Sequence, residues 1–212
     1  MRRALLAAAV AFVSFPSALA EKDAALPLGP GSVLYWSSHY DGSNDRYAEK
    51  VIAEGADFKI YLNDIEELGD GPANYFALFS GIDYRLCDAE MPTAEEREAI
   101  ATLWPLETGK TAAIFATGDN PASVEIGDAT DLYLMGQKRS AHSVTIDYEN
   151  NEETEDETIV VLNDTHLTGL IQWADNSRDT LLLVTKPRPD KDYDLSEEAI
   201  GTCAALLTET EN

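Results

Sequence analysis

Residues 87–115 read C-D-A-E-M-P-T-A-E-E-R-E-A-I-A-T-L-W-P-L-E-T-G-K-T-A-A-I-F, and they divide the chain into two groups of strand-like segments. Inside this stretch lies the clearest helix signal outside the N-terminal leader. Thr93 can accept from the free N–H groups of a first helical turn, and Glu96, three residues on, completes a T-x-x-E capping box. Glu95, Glu96 and Glu98 place negative charge at the positive end of the helix. Ala99, Ile100, Leu103 and Trp104 recur at helical spacing. Pro105 stops the pattern, because proline disfavours a helical residue before it and has no N–H to donate. The reading is a helix over about residues 93–104, a turn at Glu107-Thr108-Gly109, and a buried strand over 112–116.

The segment Leu103-Trp104-Pro105-Leu106-Glu107-Thr108-Gly109-Lys110-Thr111 follows an acidic helix and the pair Cys87-Asp88. In this it resembles a loosely defined group of uncharacterised exported bacterial proteins, in which an L-W-P-L-x-x-G-[KN]-T segment joins two sets of β-strands. The resemblance covers the middle of the mature chain and brings no activity with it. Gly109-Lys110-Thr111 is read as a turn and not a phosphate loop. The pattern G-x-x-x-x-G-K-[ST] would put its first glycine at position 104, where Trp104 cannot form the tight backbone cradle.

Residues 1–20 have the pattern of a secretory signal: Arg2 and Arg3, an apolar run from Ala4 to Phe15, and the small-residue site Ala18-Leu19-Ala20. The run is too short to span a membrane, and no second long apolar run follows. The expected mature chain, residues 21–212, is long enough for one β-rich domain with a real core, led by an extended arm over 21–31. The formal net charge of −24 repels phosphate backbones and anionic lipids, which argues against nucleic-acid binding. Cys87 and Cys203 are the only cysteines, and in an oxidising compartment such a pair is expected to form a disulfide.

The first group of strands opens with V-L-Y-W-S-S-H-Y at 33–40, turns at Asp41-Gly42-Ser43-Asn44 and returns over 46–53. Phe58, Ile60 and Leu62 alternate as in a half-buried strand, and 75–86 reads as a further strand with Gly81 as a bulge. In the second group, Val124 and Ile126, Leu132 and Leu134, and Val144, Ile146 and Tyr148 form alternating sets. Residues 158–162 form a strand. Leu167, Gly169, Ile171 and Trp173 share one face of the next, and 181–185 is the last. Ser196 caps a closing helix over about 196–208, which carries Ala199, Ile200, Cys203, Leu206 and Leu207 on its apolar face. Many short strands punctuated by turns predict a mainly β fold: an antiparallel sandwich or barrel with two accessory helices.

No catalytic constellation emerges. His39, His142 and His166 lack paired metal-ligand spacing, there is no G-x-S-x-G elbow, and on a strand Ser38 and His39 face opposite ways. The acidic run 147–157 and the segment 41–45 offer oxygens for calcium, yet neither has the D-x-[DN]-x-[DN]-G order, and both read as solvated turns. The aromatics Tyr35, Trp36, Tyr40, Tyr47, Tyr61, Tyr75, Phe76, Phe79 and Tyr84 gather in the first group. They could line a ligand pocket, but the core of the β-meander is the preferred reading. The favoured reading is an exported, periplasmic or secreted, non-enzymatic module. It binds a small molecule or an envelope protein and uses no cofactor and no metal. An envelope hydrolase is the alternative. Oligomeric state is left open.

Overall fold

The computed structural model describes residues 26–63, 74–114, 121–149, 157–173, 175–190 and 192–209. The signal pattern, the first part of the arm and most of the acidic run therefore lie outside the described residues. Eleven strands form one antiparallel sheet among them. The first meander comprises β1 (Val33–Tyr40), β2 (Ser43–Glu54), β3 (Phe58–Asn63), β4 (Asn74–Phe79) and β5 (Asp83–Leu86). Helix α1 (Ala94–Ala101) follows. The second meander comprises β6 (Thr111–Ile114), β7 (Ala122–Leu134), β8 (Gln137–Tyr148), β9 (Glu157–Leu162), β10 (Leu167–Gln172) and β11 (Arg178–Val184). Helices α2 (Glu197–Ile200) and α3 (Cys203–Glu209) close the chain.

The sheet order is β5-β4-β3-β2-β1-β11-β10-β9-β8-β7-β6. The chain thus starts at the middle of the sheet, meanders to one edge, crosses through α1 to the other edge, and meanders back until β11 pairs with β1. In a flat sheet the edge strands β5 and β6 would stand roughly 48 Å apart at ~4.8 Å per strand. Yet Tyr84 of β5 and Ile114 of β6 line one cavity. The sheet is therefore curled into a nearly closed barrel, which decides between the two architectures expected above.

Helix α1 is built as its sequence dictates. The Glu96 backbone N–H donates to Thr93 Oγ1 at 3.2 Å, and the Thr93 N–H donates to Glu96 Oε2 at 2.8 Å. Ile100 and Leu103 are fully buried and join β3, β4, β7 and β8 in one apolar cluster. Arg97 grips Asp57 with two 2.8 Å bonds, which fixes the helix to the β2–β3 turn. A second cluster contains Leu34, Trp36, Val51, Tyr61, Phe76 and Leu181, and Leu26 of the arm packs into it. Cys87 and Cys203 are bonded, with Cα atoms 5.1 Å apart, which ties the end of β5 to α3. Among the described residues no helix is long and apolar enough to cross a membrane.

Five local expectations are corrected. Residues 75–86 are two strands and not one, because Ser80 and Gly81 both take positive φ (49° and 74°) and reverse the chain, so that Phe79 pairs with Asp83. Leu132 and Leu134 continue β7 after a register shift between Ile126 and Ala129, so they belong to the same long strand as Val124. The register also shifts between Thr168 and Leu170, which puts Leu167 in the second cluster and Ile171 against the first; they do not share a face. The closing helix is broken at Gly201 (φ 56°), whose Cα lies so close to Cys87 that a Cβ would stand 2.4 Å from the Cys87 carbonyl oxygen. Ser196 occupies the cap position of α2, but its hydroxyl donates to Asp194 at 2.7 Å and does not cap the helix.

Candidate functional site

The β1–β2 hairpin sets the first wall of the site. Its register places Trp36 opposite Tyr47, and the rings stack nearly parallel at 6.0 Å. Strand alternation then points Glu49 to the same side as Tyr47 and Val51. Trp36 Nε1–H donates to Glu49 Oε2 at 2.9 Å. The Tyr47 hydroxyl donates to Asp179 Oδ2 of β11 at 2.7 Å. Farther round, Phe76 lies between Tyr61 (5.0 Å, nearly parallel) and Tyr84 (4.6 Å).

These groups, without Val51 and Tyr61, face a cavity of about 670 Å³. Its other side is formed by Ile114, Ile146, Tyr148, Glu157, Ile159 and Ile171. The volume falls within the range of small-molecule sites, roughly 300–1,000 Å³, and the mixture of apolar walls with a few placed polar groups is typical of them.

The electrostatics of the cavity are acidic. Burial pushes the Glu49 carboxyl up to about 8; the Trp36 hydrogen bond opposes this, and the charge of Asp179 adds to it. Burial and Asp179 also raise Glu157. Tyr84 and Tyr148 are each pushed up to about 12, first by burial and then by Glu49 and Glu157 respectively. Tyr47 is raised as well, by burial, Glu49 and Asp179. Asp179 Oδ1 and Asn63 Oδ1 are buried and have no hydrogen-bond partner among the described residues. The cavity therefore holds acceptors in excess of donors.

The aromatics of the first group divide. Phe79 belongs wholly to the core, Trp36, Tyr47, Phe76 and Tyr84 contribute to the cavity, and Tyr35 and Tyr40 point outward. The histidines are dispersed. His39 contacts Asn44 at 3.0 Å on the exposed hairpin, and His142 contacts Asn163 at 2.9 Å in a buried place. His166 sits in the β9–β10 turn against Trp104, its basicity lowered by burial and by Lys59. No histidine is among the cavity's described lining residues. Ser38 lines the cavity, whereas Ser37 and His39 do not.

Sequence reasoning missed Glu49, Glu157 and Asp179. In the sequence Glu157 closes the acidic run 147–157, but in the fold it begins β9 and faces the cavity. A signal was present. Each acid lies two residues from an inward apolar position: Glu49 from Val51, Glu157 from Ile159, and Asp179 from Leu181. A charge on the buried parity of a strand is rare unless it is paired or used.

No protein-family model matches this chain, and no curated protein sequence matches it. Solved structures do. The hypothetical lipoprotein YmcC from Escherichia coli K12 aligns with a TM-score of 0.45 and 11% identity, over 78% of this chain and 92% of its own. MucB aligns with a TM-score of 0.35 and 12% identity, over 77% of this chain and 58% of MucB. The Pseudomonas aeruginosa MucA/MucB complex aligns with a TM-score of 0.37 and 12% identity, over 75% of this chain and 53% of that one.

Proposed function

We propose that this chain is an exported, non-enzymatic binding module that holds a small organic molecule inside its curled sheet. The observation that carries this reading is the cavity of about 670 Å³, walled by Trp36, Tyr47, Phe76 and Tyr84 on one side and by isoleucines on the other. A core built only for stability fills its interior to crystal-like density. The signal pattern of residues 1–20 and the Cys87–Cys203 bridge support an oxidising, extracytoplasmic setting. A hydrolase is the less supported reading, since its histidine base has no representative among the described lining residues.

The test is native mass spectrometry of the full chain recovered from the cell envelope, beside an Ile171→Trp variant that fills the cavity. The expected result is a small-molecule mass on the wild type, lost on denaturation and absent from the variant. The same mass on both proteins would place the ligand elsewhere. A bare wild type would turn the search to an envelope-protein partner.

A further inference from the structure

Resting on the cavity as the binding site, we propose that its ligand is an organic cation: an amine or quaternary ammonium group on an apolar or aromatic body. Three features of the wall converge on this chemistry. Tyr47, stacked on Trp36, and Tyr84, against Phe76, offer electron-rich rings to the same space, and such rings attract cations. Three carboxylates, Glu49, Glu157 and Asp179, line it from different strands. Asp179 Oδ1 and Asn63 Oδ1 are buried acceptors without a donor among the described residues, and a ligand bearing N–H groups or positive charge satisfies them.

The spacing argues for a molecule and not a metal ion. Glu157 is on β9, Asp179 on β11 and Glu49 on β2, and each successive pair is two strands apart in the sheet. Among the described residues no group of three or more His, Cys, Asp or Glu side chains is placed to hold a metal ion. The strands between the acids, β10 and β1, present Ile171 and Trp36 beside the smaller Thr168 and Ser38, so the ligand body is mainly apolar. Among the described lining residues the one basic side chain is Arg46, exposed on the β1–β2 hairpin beside the exposed Asp45. The groups that shift Glu49 and Glu157 include no basic side chain.

The titrating groups around Glu49 are Asp179 and the tyrosines Tyr47, Tyr61 and Tyr84, none of which supplies positive charge. A bound cation therefore draws the proton off Glu49, and affinity follows pH. The probe is 3-phenylpropyl-trimethylammonium, which has no titration of its own, compared with the neutral carbon isostere in which a tert-butyl group replaces the trimethylammonium. Both are titrated into the full chain by competition and calorimetry between pH 6 and pH 9, with wild type, Glu49→Gln and Glu157→Gln.

The expected result at pH 9 is that the cation binds about tenfold or more tightly than the isostere. Its affinity rises about tenfold from pH 6 to pH 9 in the wild type, and Glu49→Gln flattens that rise. Glu157→Gln, an independent wall substitution, weakens the cation and leaves the isostere unchanged. Equal binding of cation and isostere, at the cavity, overturns the cation proposal and leaves the binding module standing. Binding of neither overturns both.

Discussion

At the scale of single residues the informative group is Glu49. Its carboxyl titrates near 8 in the folded chain against an ordinary 4.5, chiefly because it is buried. The folded state keeps a proton that the unfolded chain releases above pH 4.5, so the folded state binds more protons across that window. Stability is therefore undiminished below pH 4.5 and falls as pH rises through about 8, where Glu49 ionises in place. Glu157, raised for the same reason, adds to this trend. The carboxyl faces an open cavity instead of packed atoms, so the full linkage is discounted to on the order of 2 kcal/mol. Glu49→Gln removes the group that must ionise. It should raise the thermal midpoint at pH 9 by roughly 4–8 °C while changing little at pH 4.5, which thermal denaturation at the two pH values measures. An equal shift at both values would mean that the substitution acts through packing and not titration. In the sequence Glu49 is one of 39 acids, and its one local mark is its place two residues before the apolar Val51. The hairpin register, which sets Trp36 opposite Tyr47, shows which way that face points.

At the scale of elements, legibility follows how local the cause is. The capping box of α1 is written in four adjacent residues, and Thr93 and Glu96 make both of its bonds. Thr93→Ala leaves the Glu96 N–H without its partner and should cost about 1 kcal/mol, a fall of roughly 2–4 °C in midpoint. Thr93→Ser, which keeps the hydroxyl, should restore most of it. The closing helix reads as continuous in the sequence because its break has a distant cause. Gly201 must pass Cys87, 114 residues earlier in the chain, and only a residue without Cβ fits that approach at positive φ. Gly201→Ala should therefore cost about 3 kcal/mol, combining a glycine-type backbone with a clash against a carbonyl. Urea denaturation would show a lower midpoint at an unchanged slope. A loss below about 1 kcal/mol would mean that α2 and α3 reorient freely. The turn at Ser80-Gly81 belongs to the same class, since a glycine in a strand pattern reads equally as bulge or reversal until the pairing of Phe79 with Asp83 is seen.

At the scale of the molecule, the sequence carried the antiparallel meanders but not their closure. Closure depends on β1 meeting β11, a pairing of Leu34 with Val184 that no local pattern encodes. It also depends on residues 87–110 carrying the chain from one edge strand to the other. The disulfide fastens this crossing to the C-terminal helices across 116 residues. Closing so long a loop removes much of the unfolded chain's freedom, by about 4–5 kcal/mol in the chain-entropy account. The double variant Cys87→Ser with Cys203→Ser should lose that amount in urea denaturation. Its slope should steepen, because the untied unfolded chain exposes more surface. The bridge acts mainly on the unfolded state, so the curled sheet and its cavity should persist under conditions where the variant is folded. Affinity for the trimethylammonium probe should then change by less than about twofold. If affinity collapses while the sheet remains folded, the bridge instead positions β5, and with it Tyr84 three residues before Cys87, as part of the binding wall.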